Sequence, residues 1–470
     1  MANPAPVIAL ELNELCPPLL DRWMADGSLP NFKQLHDRSE VFTTEADASE
    51  PGTLEPWVQW YSIHTGLPYS EHGVFHLTDG ARAEHPDVWR ILIGAGKRAM
   101  SFASMNVRAF AAPGSVFVGD PWTEKGDASP GALNIYNNFV AHHVREYSNA
   151  DQAMGAGDYA AFLRFLVTHG LSAATAGGIV RQLASERLEA RHLSYRRVGV
   201  LDSLQFDVFR HYWRATRPHF ASFFANSVAH LQHSYWRHME PHAFEVKPDA
   251  GELKRYGQAI RDGYRAMDAL VGRFLRLAER EGATLMLQTA LSQQPFLKYE
   301  NKGGQRFFRL RDAAAFLRRV GVEAVSVDPT MTNQYMLTFA GDAGRDAARA
   351  RLSAFAYEDG RGAFGFPEHE TPAALYFGPQ VPNSGGIDAL VTDAVTGRRF
   401  PASDALYELD ATKSGCHSPF GSLWIGDRSY RRHEGVVSVL DILPTTLDLL
   451  GVDAPTGRGR SLVEETRRAA

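Results

Sequence analysis

The sequence predicts an α/β protein with a central, mainly parallel sheet flanked by helices. Two observations support this: short apolar runs typical of buried strands recur along the chain, and amphipathic helical patterns separate many of them. The first strand is predicted at residues 7–12, after which the sequence turns polar at Asn13 and Glu14. Further strands are predicted at residues 100–105, 115–118, 219–224, 283–287, 374–377 and 422–425.

Proline and glycine delimit two early helices. Residues 17–24 are predicted to form a helix with proline in its first turn, and Gly27 ends it. Residues 87–95 show an amphipathic pattern that stops at Gly96. Helices placed between strands in this way are typical of α/β proteins with parallel sheets.

Two segments divide the predicted core into three parts. Residues 122–217 contain several helical patterns without a clear strand, and we interpret them as a helical insertion that caps the sheet. Residues 311–366 are predicted to form a second, small α/β insertion. The core α/β domain then comprises residues 1–121, 218–310 and 367–470.

Composition excludes several classes of protein. The chain has 470 residues, 44% of them apolar, and a net charge of −5, which is typical of a globular protein with one large domain or a core with insertions. No block of Lys and Arg favours a nucleic acid duplex or an anionic membrane as partner. No segment approaches the roughly 20 apolar residues that span a bilayer, and we expect no secretory signal. With two cysteines there is no disulfide framework, so a cytoplasmic location is expected.

The most informative stretch of the chain is residues 223–241, where an apolar run leads into a cluster of histidines. His230 and His233 are three residues apart, a spacing that can place both side chains on one face of a helical turn to bind a cation. Another candidate, His417, lies in SGCHSPFG, just before the strand predicted at 422–425. These histidines form a site only if the fold brings them together.

Five separated segments carry motifs of one known family. In chain order they are VIALELNELCPPLLDRWMADGSLPNFKQL, HTGLPYSEHGVF, AHLQHSYWR, SGCHSPFG and VSVLDILPTTLDLLGVDAP with the following GRGRSL. They resemble the alkaline phosphatase superfamily, specifically its type I phosphodiesterase/nucleotide pyrophosphatase branch. The resemblance covers roughly the first 120 residues and most of 218–300 and 405–465. It implies an alkaline-phosphatase-like sandwich fold.

The chain departs from the family at most of the metal-binding positions. Members of the family hold two divalent metals with three Asp and three His, and only His233 and His417 of these six are kept here. The replacements are Asn13, Ala229 and Thr289 at Asp positions and Ala290 at a His position. Without those carboxylates the four positive charges of two divalent cations would be poorly neutralised, so we expect no dinuclear site.

A single divalent metal, such as Zn²⁺, remains compatible with the residues that are kept. His233 and His417 would bind it together with a third ligand. His230 is the first choice for that third ligand, followed by Cys416 or Glu14. Three histidines, or two histidines and a carboxylate, would suit a catalytic zinc with an open position.

The sequence leaves two candidates for the nucleophile. Thr53 matches the Thr-x-x-x-Trp pattern of the family when Trp57 is the anchor, whereas counting back from Thr65 places the same position near Glu55. A Thr at this helix N-terminus would face N–H groups suited to a phosphoryl or sulfuryl oxygen. Glu55 would be a base or a carboxylate nucleophile.

Polar residues at the predicted strand ends complete the candidate site. The predicted catalytic residues are Thr53, Glu55, Glu14 and Asn13, the predicted substrate contacts are His230, Ser292, Gln293 and Asn226, and the predicted metal ligands are His233, His417 and His230. Each also has a simpler interpretation: the histidines as packing or hydrogen-bonding residues, and Thr53 as an ordinary helix N-cap.

We therefore expect an enzyme that hydrolyses or transfers a phosphate or sulfate ester group, with one metal or none. Its substrate would be a small molecule or a glycan-linked ester. The first alternative is a non-catalytic relative that binds the ligand without turnover. The second is a site rebuilt for carbohydrate or acyl chemistry, with Glu14 and Glu55 as carboxylate catalysts.

Overall fold

The computed structural model of this chain describes residues 4–463 except residues 48–51, 78, 123–127, 147–153, 189–190, 331–332, 367–371, 383–384, 410–411 and 456–458. Its strands are β1 Val7–Leu12, β2 Ser39–Glu45, β3 Ala99–Phe102, β4 Val116–Val118, β5 Phe220–Ala225, β6 Thr284–Gln288, β7 Ser292–Pro295, β8 Phe308–Leu310, β9 Ser326–Pro329, β10 Tyr335–Thr338, β11 Phe355–Tyr357, β12 Phe364–Gly365, β13 Ala374–Pro379, β14 Leu390–Asp393, β15 Arg399–Pro401, β16 Leu406–Glu408, β17 Gly415–Ser418, β18 Phe420–Gly426 and β19 Arg431–Ser438. Its α-helices are α1 Pro17–Ala25, α2 Pro30–His36, α3 Pro56–Thr65, α4 Tyr69–His72, α5 Val88–Gly94, α6 Asn134–Glu146, α7 Ala156–Thr168, α8 Ala173–Leu188, α9 Arg197–Thr216, α10 Ser227–Met239, α11 Ala250–Tyr256, α12 Ala259–Glu281, α13 Ala313–Arg319, α14 Asp342–Ser353 and α15 Ile442–Leu449.

Eight strands form the central sheet in the order β19-β2-β18-β6-β1-β5-β3-β4. β1 lies in the middle and pairs in parallel with both β5 and β6. β18 is the antiparallel member, since it pairs antiparallel with β2 and with β6. The predicted α/β architecture with a mainly parallel sheet is therefore confirmed.

Helices cover both faces of this sheet. On one face α12 packs against α2, α9 and α10, and it buries Tyr264, Met267, Val271 and Phe274, which recur every three or four residues. On the other face α3, α5 and α15 contribute to a second hydrophobic core. Among the described residues, no helix combines the length and the apolar character needed to cross a lipid bilayer.

The predicted strands and the two early helices agree with the structure to within three residues at each end. The largest difference is in β3, which ends at Phe102 rather than at residue 105. There the backbone of Ala103 adopts a left-handed conformation, with φ of 62°, which is incompatible with an extended strand. The described residues between β4 and β5 form the four helices α6 to α9.

Strand pairing extends the second insertion beyond residue 366. β13 was predicted as a strand of the core, but it pairs antiparallel with β10 in a separate sheet of four strands. β14 pairs with β11, and β16 pairs with β8. We therefore propose that the second insertion continues to the end of β16, because these strands complete its small sheets.

Candidate metal centre and active site

Glu14, His233 and His417 converge at the carboxyl edge of the central sheet. The Nε2 atom of His233 is 3.0 Å from Oε2 of Glu14, and the Nε2 atom of His417 is 3.5 Å from the same oxygen. One ligand atom from each residue lies within 4.8 Å of the others. The two imidazole rings are 5.3 Å apart between centroids and are inclined at 74°. The three side chains thus face a common point.

Each of the three residues is placed there by a different element. Glu14 directly follows β1, His233 lies in α10 after the neighbouring strand β5, and His417 lies in β17. β17 pairs antiparallel with β7, which sets His417 opposite Gln293. The carboxyl ends of adjacent parallel strands meet at one edge of a sheet, which is where α/β proteins build their sites.

The second ring nitrogen of each histidine faces an acceptor. Nδ1 of His233 is 3.1 Å from the backbone oxygen of Gly415, and Nδ1 of His417 is 3.6 Å from Oε2 of Glu55. Without a cation, Nε2–H of His233 donates to Oε2 of Glu14. With a cation bound, the Nε2 lone pair would face the cation, while Nδ1–H donates to the Gly415 carbonyl. Metal-bound histidines in proteins have this arrangement, in which an outer acceptor fixes the tautomer and the ring orientation.

Two side-chain amides hold the carboxylate of Glu14. Nε2 of Gln293 donates both to Oε2 of Glu14 and to the backbone oxygen of Ala229, 3.0 Å away. Nδ2 of Asn13 donates to Oε1 of Glu14 at 3.0 Å. Glu14 is only 2% exposed, so these neutral donors replace the hydrogen bonds that water would otherwise supply.

The side chain of Asn13 is itself held by hydrogen bonds. Its Nδ2 also donates to Oδ1 of Asn226 at 2.8 Å, and its Oδ1 accepts from Nε1 of Trp60 at 2.8 Å. Both amide hydrogens and the amide oxygen are therefore used within the protein. Asn13 and Asn226, which we predicted as a catalytic and a substrate-binding residue, hold Glu14 in this geometry.

The backbone of Glu14 is fixed in an unusual conformation. Its φ is 56°, in the left-handed region, and its carbonyl oxygen accepts from Nε2 of Gln232 at 2.8 Å. Gln232 is held in turn by the hydroxyl of Tyr264, which donates to its Oε1 at 2.8 Å. Such strained residues persist at functional sites when their surroundings fix them. Sequence patterns indicated neither Gln232 nor Tyr264.

The charges of the site act on one another. Burial opposes ionisation of Glu14, but attraction to His233 and His417 and their hydrogen bonds outweigh it and hold the pKa of this carboxyl well below its usual value. Burial disfavours the charged form of His417, yet Glu14 and then Glu55 outweigh it and raise the pKa of His417 to about 9. Burial raises the pKa of Glu55, and the nearby His417 offsets only part of this rise. The site therefore contains one strongly ionised carboxylate and one that retains its proton more readily.

Other predicted site residues lie elsewhere. His230, our first choice as third metal ligand, is exposed and is not part of the group formed by Glu14, His233 and His417. Sγ of Cys416 faces the backbone oxygen of Pro295 at 3.7 Å, because alternate residues of β17 point to opposite sides. Glu14, the other alternative for that ligand, lies within reach of both His233 and His417.

Thr53 and Ser292 are buried. Thr53 is 1% exposed, and its backbone oxygen accepts from Nε2 of Gln59 at 2.9 Å. Ser292 is 3% exposed and pairs with Ser418 across β7 and β17. By contrast, 33% of the Glu55 side chain is exposed beside His417. Of the two candidates for the reacting residue, Glu55 is the more exposed.

The donor set fits one divalent cation. Two imidazole nitrogens and one carboxylate oxygen are ligands that Zn²⁺ and similar metals accept, with a further position open for substrate or water. Thr289 and Ala290 stand where the sequence resemblance implies metal ligands. Oγ1 of Thr289 accepts a hydrogen bond from the backbone N–H of Ser422 at 2.9 Å, and Ala290 is buried.

Comparison with protein-family models and with curated proteins finds no match. Solved structures that match over nearly their whole length include wild-type alkaline phosphatase PafA, with 13% identity, 99% of both chains covered and a TM-score of 0.48. Murine ectonucleotide pyrophosphatase/phosphodiesterase 5 matches with 10% identity, 97% of both chains and a TM-score of 0.42. Phosphonoacetate hydrolase from Sinorhizobium meliloti 1021, in complex with phosphonoformate, matches with 14% identity, 96% of both chains and a TM-score of 0.41. At this level of likeness, any activity has to be argued from the site itself.

Proposed function

We propose that this protein hydrolyses a phosphate ester and binds one divalent cation through Glu14, His233 and His417. The observation that carries the proposal is the convergence of both Nε2 atoms on Oε2 of Glu14. The Gly415 carbonyl and the Glu55 carboxylate face the two Nδ1 atoms. Histidines used only for packing would have no need of this arrangement.

When bound, a divalent cation at this position supplies Lewis-acid polarisation of a phosphoryl oxygen. Glu14 keeps its negative charge over the working pH range because its neighbours hold its pKa low. Gln293 and Asn13 fix the orientation of that carboxylate, and so they act as positioning residues.

Glu55 is the residue we assign to proton transfer. In hydrolysis water adds to phosphorus, the ester P–O bond breaks, and the leaving oxygen takes up a proton. Burial raises the pKa of Glu55 and so favours its protonated form, which makes this carboxyl the candidate proton donor to the leaving oxygen. It then regains a proton from the attacking water. The same arrangement suits a sulfate ester, or transfer to an acceptor other than water.

Metal content and turnover test the proposal together. Purified protein is analysed for bound metals by mass spectrometry, before and after chelation and return of Zn²⁺. Hydrolysis of p-nitrophenyl phosphate and bis-p-nitrophenyl phosphate is then followed for wild type, His417→Ala, Glu55→Gln and the control His242→Ala, an exposed histidine just beyond α10 that is not part of the group formed by Glu14, His233 and His417. We expect about one metal per chain. Turnover should fall by at least about tenfold in the two site variants and be unchanged in the control.

Two results would overturn the proposal in different ways. If the purified protein binds no divalent metal, the proposed cation site is wrong. If the protein does not turn over these esters, or if the His417→Ala and Glu55→Gln variants turn them over as fast as wild type, hydrolysis does not occur at this site. That result would favour the non-catalytic alternative.

A further inference from the structure

The structure has a polar cleft that is lined by none of the three residues of the candidate metal centre. Its volume is about 870 Å³, within the range of small-molecule sites. It is formed by the chain from Tyr299 to Phe307 on one side and by the second insertion on the other. This volume exceeds what a phosphate group alone would fill.

Three kinds of side chain line the cleft. Lys302, Arg306 and Arg361 are cationic, Gln305, Asn333, Gln334 and Gln380 carry amides, and Tyr299, Phe307 and Phe366 are aromatic. Amides both donate and accept hydrogen bonds, so they suit hydroxyl groups, while aromatic rings offer a flat apolar face. The lining contains no acidic residue among those described.

The two arginines of the cleft already form ion pairs with residues at its edge. Arg306 lies 2.6 Å from Glu408, and Arg361 lies 2.6 Å from Asp359. Both pairs are substantially exposed, and pairs of this kind contribute little free energy. A guanidinium group has five N–H donors, so each arginine can bind an anionic ligand in addition.

Lys413 connects the cleft to the metal centre. Its backbone N–H donates to the carbonyl oxygen of Gln305 at 2.9 Å, and its Nζ lies 5.9 Å from the ring centroid of Phe307, both of which line the cleft. The same side chain interacts electrostatically with Glu55 and His417. Lys413 therefore contacts the lining of the cleft and also acts on the charges of the candidate metal centre.

We propose that this cleft binds the organic part of the substrate, and that this part is an anionic carbohydrate such as a phosphorylated disaccharide. The amides would bind its hydroxyl groups, the aromatic residues would pack against its ring faces, and the cations would bind its negative charge. The assignment of the ester group to the metal centre rests on the function proposed above, whereas binding in the cleft does not.

Isothermal titration calorimetry with trehalose 6-phosphate as the probe tests the cleft. Wild type is compared with Arg361→Ala and Gln380→Ala, which alter the lining, and with Arg399→Ala as a matched control. Arg399 is also paired with a carboxylate, Glu358, and is similarly exposed, at 53% against 58% for Arg361, but it does not line the cleft. We expect affinity to fall by about tenfold in each lining variant and to be unchanged in the control.

Further ligands and one further variant distinguish failure of the cleft proposal from failure of the proposed hydrolysis. Trehalose should bind more weakly than its phosphate, and inorganic phosphate should bind without sensitivity to Gln380→Ala. Binding of trehalose 6-phosphate that survives in His417→Ala supports the cleft even if hydrolysis fails. Equal loss in the lining variants and in Arg399→Ala would overturn the proposal. So would preferential, cleft-dependent binding of adenosine monophosphate, since that would assign the cleft to a different class of ligand.

Discussion

The contact between His233 and Glu14, 3.0 Å from Nε2 to Oε2, joins the ends of two neighbouring parallel strands. Glu14 follows β1 directly, and His233 lies on the helix that follows β5. Because β1 and β5 pair in parallel, residues remote in sequence meet at the same edge of the sheet. The candidate metal centre is built on this contact.

Glu14→Gln should weaken divalent metal binding by about 10- to 100-fold. The substitution keeps the shape of the side chain but removes the only carboxylate of the ligand group. Affinity for Zn²⁺ can be measured by competition with a chromogenic chelator. Glu323→Gln, at an exposed position remote from the site in sequence, is the control and should leave affinity unchanged. Equal affinities for wild type and Glu14→Gln would contradict the assigned ligand set.

Asn13→Asp should destabilise the metal-free protein by about 1–3 kcal/mol, as urea denaturation at pH 7 would show. The amide nitrogen of Asn13 donates to Oε1 of Glu14 and to Oδ1 of Asn226. An ionised Asp would place an acceptor against both oxygens and a negative charge beside Glu14. Placing a carboxylate at this one position is therefore expected to be unfavourable. A variant as stable as wild type would show that the network rearranges at little cost.

Glu300→Gln should destabilise the fold by about 3–5 kcal/mol, because it leaves the guanidinium of Arg237 buried without its counter-ion. Arg237 and Glu300 form two hydrogen bonds, of 2.8 and 2.6 Å, and their side chains are only 4% and 6% exposed.

The matched control for that change is Glu279→Gln. Glu279 pairs with Arg38 at 2.8 Å, but 42% of the Arg38 side chain and 49% of the Glu279 side chain are exposed. Loss of this pair should cost less than about 1 kcal/mol. Similar costs for the two substitutions, measured by chemical denaturation, would show that burial does not decide the contribution of these ion pairs.

Asp202 should make stability depend on pH. Burial raises its pKa to about 7, although the hydroxyl of Ser227 donates to its carboxylate and offsets part of this. Between about pH 4 and pH 7 the folded protein therefore keeps a proton that the unfolded chain releases, so the free energy of unfolding falls as pH rises.

Asp202→Asn removes this dependence. The variant should equal wild type near pH 4 and exceed its free energy of unfolding by up to about 4 kcal/mol at pH 8. Thermal or urea denaturation across this range measures the difference, with the exposed Asp388→Asn as control. A difference between wild type and Asp202→Asn that is constant with pH would contradict the assignment.

Much of the fold could be predicted because buried strands and amphipathic helices have local signatures. Runs such as residues 7–12 and 283–287 are apolar since both faces of the central sheet are covered. β13 shows the limit of this reasoning. Its apolar run correctly indicated a strand, but a run of this kind does not specify the partner strand, and β13 pairs with β10 outside the central sheet.

The candidate site was predictable only in part. Resemblance to a family indicated His233 and His417, and the structure brings them together. The third ligand was not settled, since spacing in sequence favoured His230, which is exposed, over Glu14. Glu14 reaches the site because a left-handed backbone conformation turns it toward α10, and contacts with Gln232 and Gln293 maintain it.

The sequence by itself determined the alternation of strands and helices, and it indicated His233 and His417. These are properties of residue type and local periodicity, and they can be read without knowing distances. Only the tertiary structure decided which carboxylate joins the histidines, that Thr53 is buried while Glu55 is partly exposed, and that Lys413 connects the site to a polar cleft. Such choices depend on strand order, backbone conformation and burial, because a ligand group is defined by distances of a few ångströms between residues far apart in the chain.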